Sequence, residues 1–192
     1  MEEVLDKALL KKLKASLSKK RYQHSEGVCD TAVRLARKFG ADEKKAAVAG
    51  ILHDCAKGMK IPEQVEKCAE YGLTLDEITR QCVPVIHAPL GAEMAKREYG
   101  IRDEEILNAI RRHTVGGKGM TLLDKILYTA DMIEPHREFD GVERLRAEAE
   151  QDLEAAFFDC VRQSLIFNIQ ENKMIHPDTL ICYNEWIGRE NH

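Results

Sequence analysis

Hydrophobic residues recur at helical spacing through nearly the whole of this 192-residue chain, and no segment alternates as a half-buried strand does. Glycines and prolines divide the pattern into segments: Gly40 and Gly100 follow apolar runs, and Pro135 interrupts another. Internal repeats and low-complexity tracts are missing from the sequence. The spacing therefore predicts one all-α domain of about nine or ten helices.

Caps and helix breakers predict where the individual helices lie. The first half should contain an amphipathic helix with Val4, Leu9, Leu13 and Leu17, a helix from about His24 to Phe39, a helix capped by Asp42 that stops near Gly58, and short helices opened by Pro62 and by a Thr74–Glu77 capping box. His87 should be extended, just ahead of a helix opened by Pro89. The second half should contain helices from Asp103 to His113, from Thr121 through Asp131, around Ala155–Asn168, and through Trp186.

Composition excludes several classes of function. The formal charge is -4, whereas proteins that bind polymeric nucleic acid carry basic surfaces, so we expect no such partner. No apolar stretch approaches the ~20 residues needed to span a bilayer, and we expect no membrane association. The six cysteines form no C-x-x-C pair, which favours reduced thiols in a cytoplasmic protein.

A His–Asp doublet, His53 and Asp54, ends the apolar run AAVAGILHD. Buried ionisable groups are costly unless they are paired or bind a metal. A neutral imidazole offers one lone pair to a metal, and a carboxylate offers two oxygens that can bridge two metals. Four residues of the same kinds lie on separate segments, three of them on inward-facing apolar stripes: His24, His87, His113 and Asp131.

Each of these residues alone is more often a hydrogen-bonded core or surface residue than a metal ligand. Their convergence toward one interior predicts a metal site. His136, His176 and His192 lack that context and are left outside the ligand set. Imidazoles and carboxylates together suit a mid-row divalent metal such as Fe, Mn, Co or Ni, whereas a structural zinc site would favour cysteines.

Four stretches of the sequence carry a family resemblance: RYQHSEGVCDTAVRLARKFG, GILHDCAKG, VIHAPLGAEMA and IRRHTVGGKGMTLLDKILYTADMIEPHREFDGVERLR. Together they resemble the HD-domain phosphohydrolases, and most closely the YqeK group of symmetrical bis(5'-nucleosyl)-tetraphosphatases. The resemblance implies a single HD-domain helical bundle over residues 1–192, with a metal-binding core at about 21–146 and C-terminal helices at 147–192. The chain departs from the family pattern at Cys55, Ala88 and His136, none of which is a predicted ligand.

The resemblance implies a di-iron centre, with His24, His53 and Asp131 on one metal, His87 and His113 on the other, and Asp54 bridging. Two metals can lower the pKa of a bridging water toward about 7, and that hydroxide would be the nucleophile. The implied substrate is a small dinucleoside polyphosphate, diadenosine tetraphosphate, cut into two ADP molecules. Lys57 and Arg137 are expected to contact the phosphates, with Lys57 also serving catalysis, and Thr114, Gly116 and Gly117 are expected to line the mouth.

Other interpretations remain open at this stage. The substrate could be a nucleoside triphosphate, a cyclic nucleotide or an alarmone. The chain could instead be a metal-bound nucleotide sensor without turnover, or a structural helical domain whose histidines satisfy core hydrogen bonds. The apolar stretch AAFFDCVRQSLIFNI could pack inside the monomer or pair across a two-fold axis, and we favour a homodimer.

Overall fold

Eleven α-helices and two short 3-10 helices make up the computed structural model, which describes residues 5–190 and, of these, the side chains of 5–188. The α-helices are α1 (Lys7–Ser16), α2 (Lys19–Phe39), α3 (Glu43–Leu52), α4 (Ile61–Glu70), α5 (Glu77–Gln81), α6 (His87–Glu98), α7 (Glu104–Arg112), α8 (Leu122–Ile133), α9 (Val142–Ala149), α10 (Leu153–Gln170) and α11 (Pro177–Glu190). The 3-10 helices are Cys55–Gly58 and Val83–Val85. Residues 5–190 contain no strand, which confirms the all-α prediction.

Side-chain caps fix where several of the helices begin. Asp42 accepts hydrogen bonds from two backbone N–H groups at the start of α3, and Asp103 accepts one from Glu105 at the start of α7. Thr121 and Asp124 form a reciprocal capping box at the start of α8. At the other end of a helix, Gly40 closes α2 with φ of 78°, a left-handed conformation that favours glycine.

Some predicted boundaries were wrong, each for a local reason. Ser18 caps α2, so this helix begins at Lys19 rather than near His24. Asp76, not Thr74, caps α5, because its carboxylate accepts from the backbone N–H of Thr79. The helix after Asp42 ends at Leu52, and a separate 3-10 helix continues to Gly58.

Three further differences concern α6, α9 and the N-terminus. His87 is the first residue of α6 rather than an extended residue, because the first turn of a helix leaves N–H groups unpaired and so tolerates Pro89. The α9 helix was not predicted, and it accounts for the eleventh helix. Val4, assigned to the first amphipathic helix, lies outside the described residues.

Helices α2, α3 and α8 form the centre of the molecule, with α7 packed against α3 and α8. The α2 and α3 helices approach closely: a Cβ atom on Gly50 would lie 2.7 Å from Cα of Cys29, so only glycine fits there. The core between these helices consists of fully buried aliphatic side chains, among them Leu35, Ile51, Ile110 and Ile126. Helix α10 covers α8 and carries α9 and α11 on its flanks.

None of the helices within residues 5–190 combines the length and apolarity needed to cross a lipid bilayer.

Candidate metal centre

Five helices bring the six predicted metal ligands to one interior position. His24 comes from the inward face of α2, and His53 with Asp54 follows the last residue of α3. The others are His87 at the start of α6, His113 at the end of α7, and Asp131 in α8. Five of the six are buried, and Asp131 is half-buried. Four of them lie at helix ends: His53, Asp54, His87 and His113.

His24, His53 and Asp131 form one group of donor atoms. The Nε2 atoms of His24 and His53 lie 3.2 Å apart. Oδ1 of Asp131 lies 3.1 Å from Nε2 of His24 and 3.9 Å from Nε2 of His53. All three atoms therefore surround a common point, as the ligands of a single ion would.

His87 and His113 form a second group, and Asp54 joins it to the first. The two Nε2 atoms lie 3.1 Å apart, and Oδ1 of Asp54 lies 3.2 Å from that of His87 and 3.8 Å from that of His113. The other oxygen, Oδ2, lies 3.5 Å from Nε2 of His53 and 3.7 Å from Nε2 of His24. One carboxylate thus presents one oxygen to each histidine pair.

Hydrogen bonds to the outer ring nitrogens set the tautomers of the four histidines. In His53, His87 and His113, Nδ1 lies 2.7 Å from the carbonyl oxygen three residues earlier, so Nδ1 carries the proton and donates. In His24, Nδ1 lies 3.1 Å from Oε1 of Glu134, a buried carboxylate. Hydrogen bonds of this kind orient metal-binding histidines.

These tautomers leave an unprotonated Nε2 on every ring, and the four lone pairs converge. Two such nitrogens cannot hydrogen-bond to each other, so contacts of 3.2 Å and 3.1 Å would be repulsive without a positive charge between them. The ionised carboxylates of Asp54 and Asp131 also favour a positive charge at this position. The donor set therefore fits divalent metal binding.

The pKa values of the carboxylates agree with this arrangement. Burial alone would raise the pKa of Asp54, but the neighbouring histidines hold it well below its usual range. Burial opposes ionisation of Asp131 in the same way, and His24 and Arg137 outweigh it, so its pKa is also well below the usual range. Both groups are ionised at neutral pH, as metal ligands must be.

The pKa values of two of the histidines shift in opposite directions because their surroundings differ. Burial lowers the pKa of His87 to about 4, which keeps this ring neutral and able to bind a metal. Burial would also lower the pKa of His53, but the charges of Asp54 and Asp131 raise it above its ordinary value. The charges of Asp54 and Asp131 therefore favour a positive charge beside His53.

Two arginines lie on the ligand carboxylates. Nη2 and Nε of Arg137 donate to Oδ1 and to the backbone oxygen of Asp131, at 2.6 Å and 2.8 Å. Nη1 of Arg21 donates to Oδ2 of Asp54 at 2.7 Å. Arg137 was predicted from the sequence, whereas Arg21 was not. The available signal was its position three residues before His24, on the same face of α2.

Lys57 lies in the 3-10 helix after the His–Asp doublet and is half-buried. Burial lowers its pKa from the usual value; the charge of Asp54 opposes that shift and the charge of Arg21 adds to it. Lys57 therefore lies within the electrostatic reach of the centre, and its contact with phosphate stays a prediction.

A cavity of about 910 Å³ opens beside the centre. Its lining includes His24, Arg21 and Arg137, so a molecule in the cavity reaches both a metal ligand and two cations. Among the described residues, those that line it do not include Thr114, Gly116 or Gly117.

The loop after His113 packs against α11 instead. Gly116 has φ of 71°, and a Cβ atom on it would lie 3.1 Å from Sγ of Cys182. The hydroxyl of Thr114 is buried without a hydrogen-bond partner among the described residues. The predicted contacts of Thr114, Gly116 and Gly117 with substrate stay untested.

Comparison with known proteins agrees with the fold. Residues 21–155 match the family model of the HD domain, and the chain belongs to this family of HD-domain proteins. The match covers both histidine groups and both carboxylates, and with the clustered donors it indicates a divalent-metal site.

Two bacterial relatives match nearly the whole chain. The chain is 42% identical over 175 residues to the "Bis(5'-nucleosyl)-tetraphosphatase, symmetrical" of Bacillus subtilis, covering 91% of this chain and 93% of that protein. It is 41% identical to the protein of the same name from Halalkalibacterium halodurans, over 92% of this chain and 94% of that protein. These identities confirm the resemblance inferred from the four sequence stretches.

A solved structure supports the architecture. A crystal structure of a predicted HD superfamily hydrolase involved in NAD metabolism from Clostridium acetobutylicum matches with a TM-score of 0.91 and 41% sequence identity. The match covers 95% of this chain and 96% of that chain. The HD-domain helical bundle predicted from the sequence is therefore confirmed.

Proposed function

We propose that this protein is a metal-dependent hydrolase that cleaves diadenosine tetraphosphate symmetrically into two ADP molecules. Two relatives named as symmetrical bis(5'-nucleosyl)-tetraphosphatases match more than nine-tenths of the chain at 41–42% identity. The observation that carries the proposal is Asp54, whose two oxygens face two separate histidine pairs. A carboxylate in that position suits two cations rather than one.

We propose two divalent metal ions, with iron as the expected metal and Mn, Co or Ni as alternatives. His24, His53 and Asp131 would hold one ion, His87 and His113 the other, and Asp54 would bridge. When bound, such a pair supplies a water of lowered pKa and neutralises phosphoryl oxygens. The protein itself offers no serine or cysteine in these groups that could replace the water as nucleophile.

Positively charged side chains near the centre would bind the phosphates of the substrate. Arg21 and Arg137 present guanidinium groups that fit phosphate oxygens. Each also forms an ion pair with a proposed ligand carboxylate, Arg21 with Asp54 and Arg137 with Asp131. Lys57, half-buried in the 3-10 helix after the doublet, would add a third positive charge near the centre. Together these cations orient a polyphosphate that carries several negative charges. Thr114, Gly116 and Gly117 remain proposed contacts at the mouth.

The domain and its context extend the proposal. We propose that residues 1–192 form one HD domain, with the metal-binding core at about 21–146, because α10 packs directly on α8. Six free, buried cysteines favour a reducing, cytoplasmic location.

Exposed apolar side chains on α10 and α11, including Ile166, Ile169, Leu180 and Ile181, favour a homodimer. Light scattering of the purified protein tests the dimer, and a monomer at micromolar concentration contradicts it.

The test of the function is a nucleotide panel with anaerobically purified protein and parallel metal analysis. We expect about two metals per chain and ADP from diadenosine tetraphosphate among the fastest products. Faster hydrolysis of a nucleoside triphosphate, a cyclic nucleotide or an alarmone would contradict the substrate. Tight nucleotide binding without turnover would show a sensor, and far less than one metal per chain would show a structural domain.

A further inference from the structure

The cavity beside the metal centre has two chemically different sides. On the α2 side, Lys20 and Arg21 bring positive charge next to His24. On the α10 side, Phe167 and Gln163 face the same space. The phosphate groups of a ligand would interact with the cations, but they would form no stacking contact with an aromatic ring. The α10 side therefore fits a different part of a ligand.

Phe167 is a large aromatic residue with 49% of its surface exposed at the cavity wall. The ammonium group of Lys173 lies over one face of its ring, 4.2 Å from the centroid. A planar heterocycle on the opposite face would complete a stack and remove that apolar surface from water. Aromatic rings stack on any nucleobase because every base has a π-face.

Gln163 lies one helical turn before Phe167, on the same face of α10. It is half-buried, and its side-chain amide has no hydrogen-bond partner within the described residues 5–188. A glutamine amide offers a donor and an acceptor that match the amino group and N7 of adenine.

The position of α10 relative to the metal centre is fixed by α8. The ring of Tyr128 packs edge-on against Phe157, with centroids 5.4 Å apart, and its hydroxyl pairs with Ser164. Tyr128 lies in the same helix as Asp131, three residues earlier. The wall that carries Phe167 is therefore rigidly connected to a metal ligand.

We propose that the α10 wall is a nucleobase subsite, in which Phe167 stacks on the base and Gln163 hydrogen-bonds to the base edge. The inference rests on the proposed function, because it assigns the nucleoside end of that substrate to α10 and the phosphates to the arginine side. It makes Phe167 a determinant of nucleotide affinity rather than of the chemical step.

Steady-state kinetics of Phe167→Ala on diadenosine tetraphosphate tests the stack. We expect KM to rise at least about fivefold, the lower end of what the loss of one base–aromatic stack produces, with kcat changed less than about twofold. Phe167→Tyr, which keeps the ring, should retain the wild-type KM, whereas Phe167→Leu, which keeps only apolar bulk, should not. The matched control is Val65→Ala on α4, because Val65 is 46% exposed and lies away from the cavity.

Calorimetric binding separates this inference from the proposed function. ADP should bind Phe167→Ala more weakly than wild type by the same factor as the KM change, while inorganic pyrophosphate should bind both equally. Equal weakening for pyrophosphate, or an unchanged KM in Phe167→Ala, would overturn the subsite. A wild-type protein that does not hydrolyse diadenosine tetraphosphate would overturn the proposed function, and the ADP comparison would still decide the subsite.

Gln163→Ala tests the edge contact. KM should rise for diadenosine tetraphosphate and rise less for its 7-deazaadenine analogue, because that base keeps the amino group but lacks the N7 acceptor that the amide would pair with. An equal rise for both substrates would contradict the role of Gln163 in reading the base.

Discussion

Nη1 of Arg21 lies 2.7 Å from Oδ2 of Asp54, the oxygen that faces His24 and His53. The side chain of Arg21 is 38% exposed, and it also lines the cavity. The same guanidinium group can therefore reach the proposed bridging carboxylate from one side and, in the proposed function, a phosphate from the other. This contact connects the candidate metal centre to the cavity beside it.

Arg21→Ala should lower kcat/KM for diadenosine tetraphosphate by roughly tenfold to a hundredfold, the range expected for loss of a charge-assisted hydrogen bond to phosphate. Metal content should stay the same, because Arg21 supplies no ligand atom. Arg37→Ala, near the C-terminal end of the same helix, is the matched control, since Arg37 pairs only with Glu43 among the described contacts. A kcat/KM that falls no further than in the control contradicts the role.

Glu134 holds His24 in place from outside the ligand set. Its Oε1 lies 3.1 Å from Nδ1 of His24, and its Oε2 accepts the backbone N–H of His136 at 2.7 Å. Glu134→Ala should weaken metal binding at the His24 group by about 10–100-fold, the usual cost of losing such a partner. Competition with a chelator measures that affinity, and Glu66→Ala, an exposed carboxylate on α4 outside the cavity lining, should show no change.

Most of the candidate site could be predicted from the sequence, because histidine and aspartate side chains are uncommon on the apolar face of a helix. Arg21 and Glu134 did not, since their roles depend on distance in space: Arg21 contacts a residue 33 positions away, and Glu134 contacts one 110 positions away. Charged residues at such positions are usually solvated, so sequence spacing alone does not separate them from the surface.

The fold followed from periodicity, and its errors cluster at helix ends. Ser18 and Asp76 cap their helices through contacts that compete with other nearby polar residues, such as Thr74. His87 was misassigned because the constraint before a proline was given more weight than the tolerance of a first helical turn for Pro89. Such choices depend on small local free-energy differences.

Removal of the metal should destabilise the protein as well as abolish its activity. Without a cation, two ionised carboxylates and four converging Nε2 lone pairs remain in the interior. A ligand present at 100 times its Kd stabilises the folded state by about 2.7 kcal/mol, which corresponds to roughly 5–10 °C in Tm for a chain of this size.

Calorimetry with and without chelator measures this shift, and added Mn²⁺ or Fe²⁺ should restore it. The control is His53→Ala, whose Tm should respond less to the chelator. An identical Tm for the metal-loaded and chelated wild-type proteins would show that the centre does not bind the ion in the folded state.

The six cysteines should be unreactive in the native protein. All are buried, and burial raises the pKa of Cys55, and that of Cys29 to about 12. A raised pKa lowers the thiolate fraction at pH 8, and the thiolate is the reactive form. A thiol reagent should therefore label far fewer than six groups in the native protein and all six after denaturation. Rapid native labelling would show that the helices around these residues open readily.

Asp54→Asn is the most direct test of the proposed bridging carboxylate. The substitution keeps the shape of the side chain but replaces one oxygen with an NH₂ group, which has no lone pair to offer a metal. Only one of the two histidine groups would then face an oxygen. We expect fewer than two metals per chain and a loss of turnover greater than about a hundredfold, equivalent to ~2.7 kcal/mol. Asp140→Asn, an exposed carboxylate in the α8–α9 connection, is the control, and both variants should show the wild-type circular dichroism spectrum. Full turnover in Asp54→Asn would show that the two histidine groups act without a shared carboxylate, and the dinuclear centre would have to be abandoned.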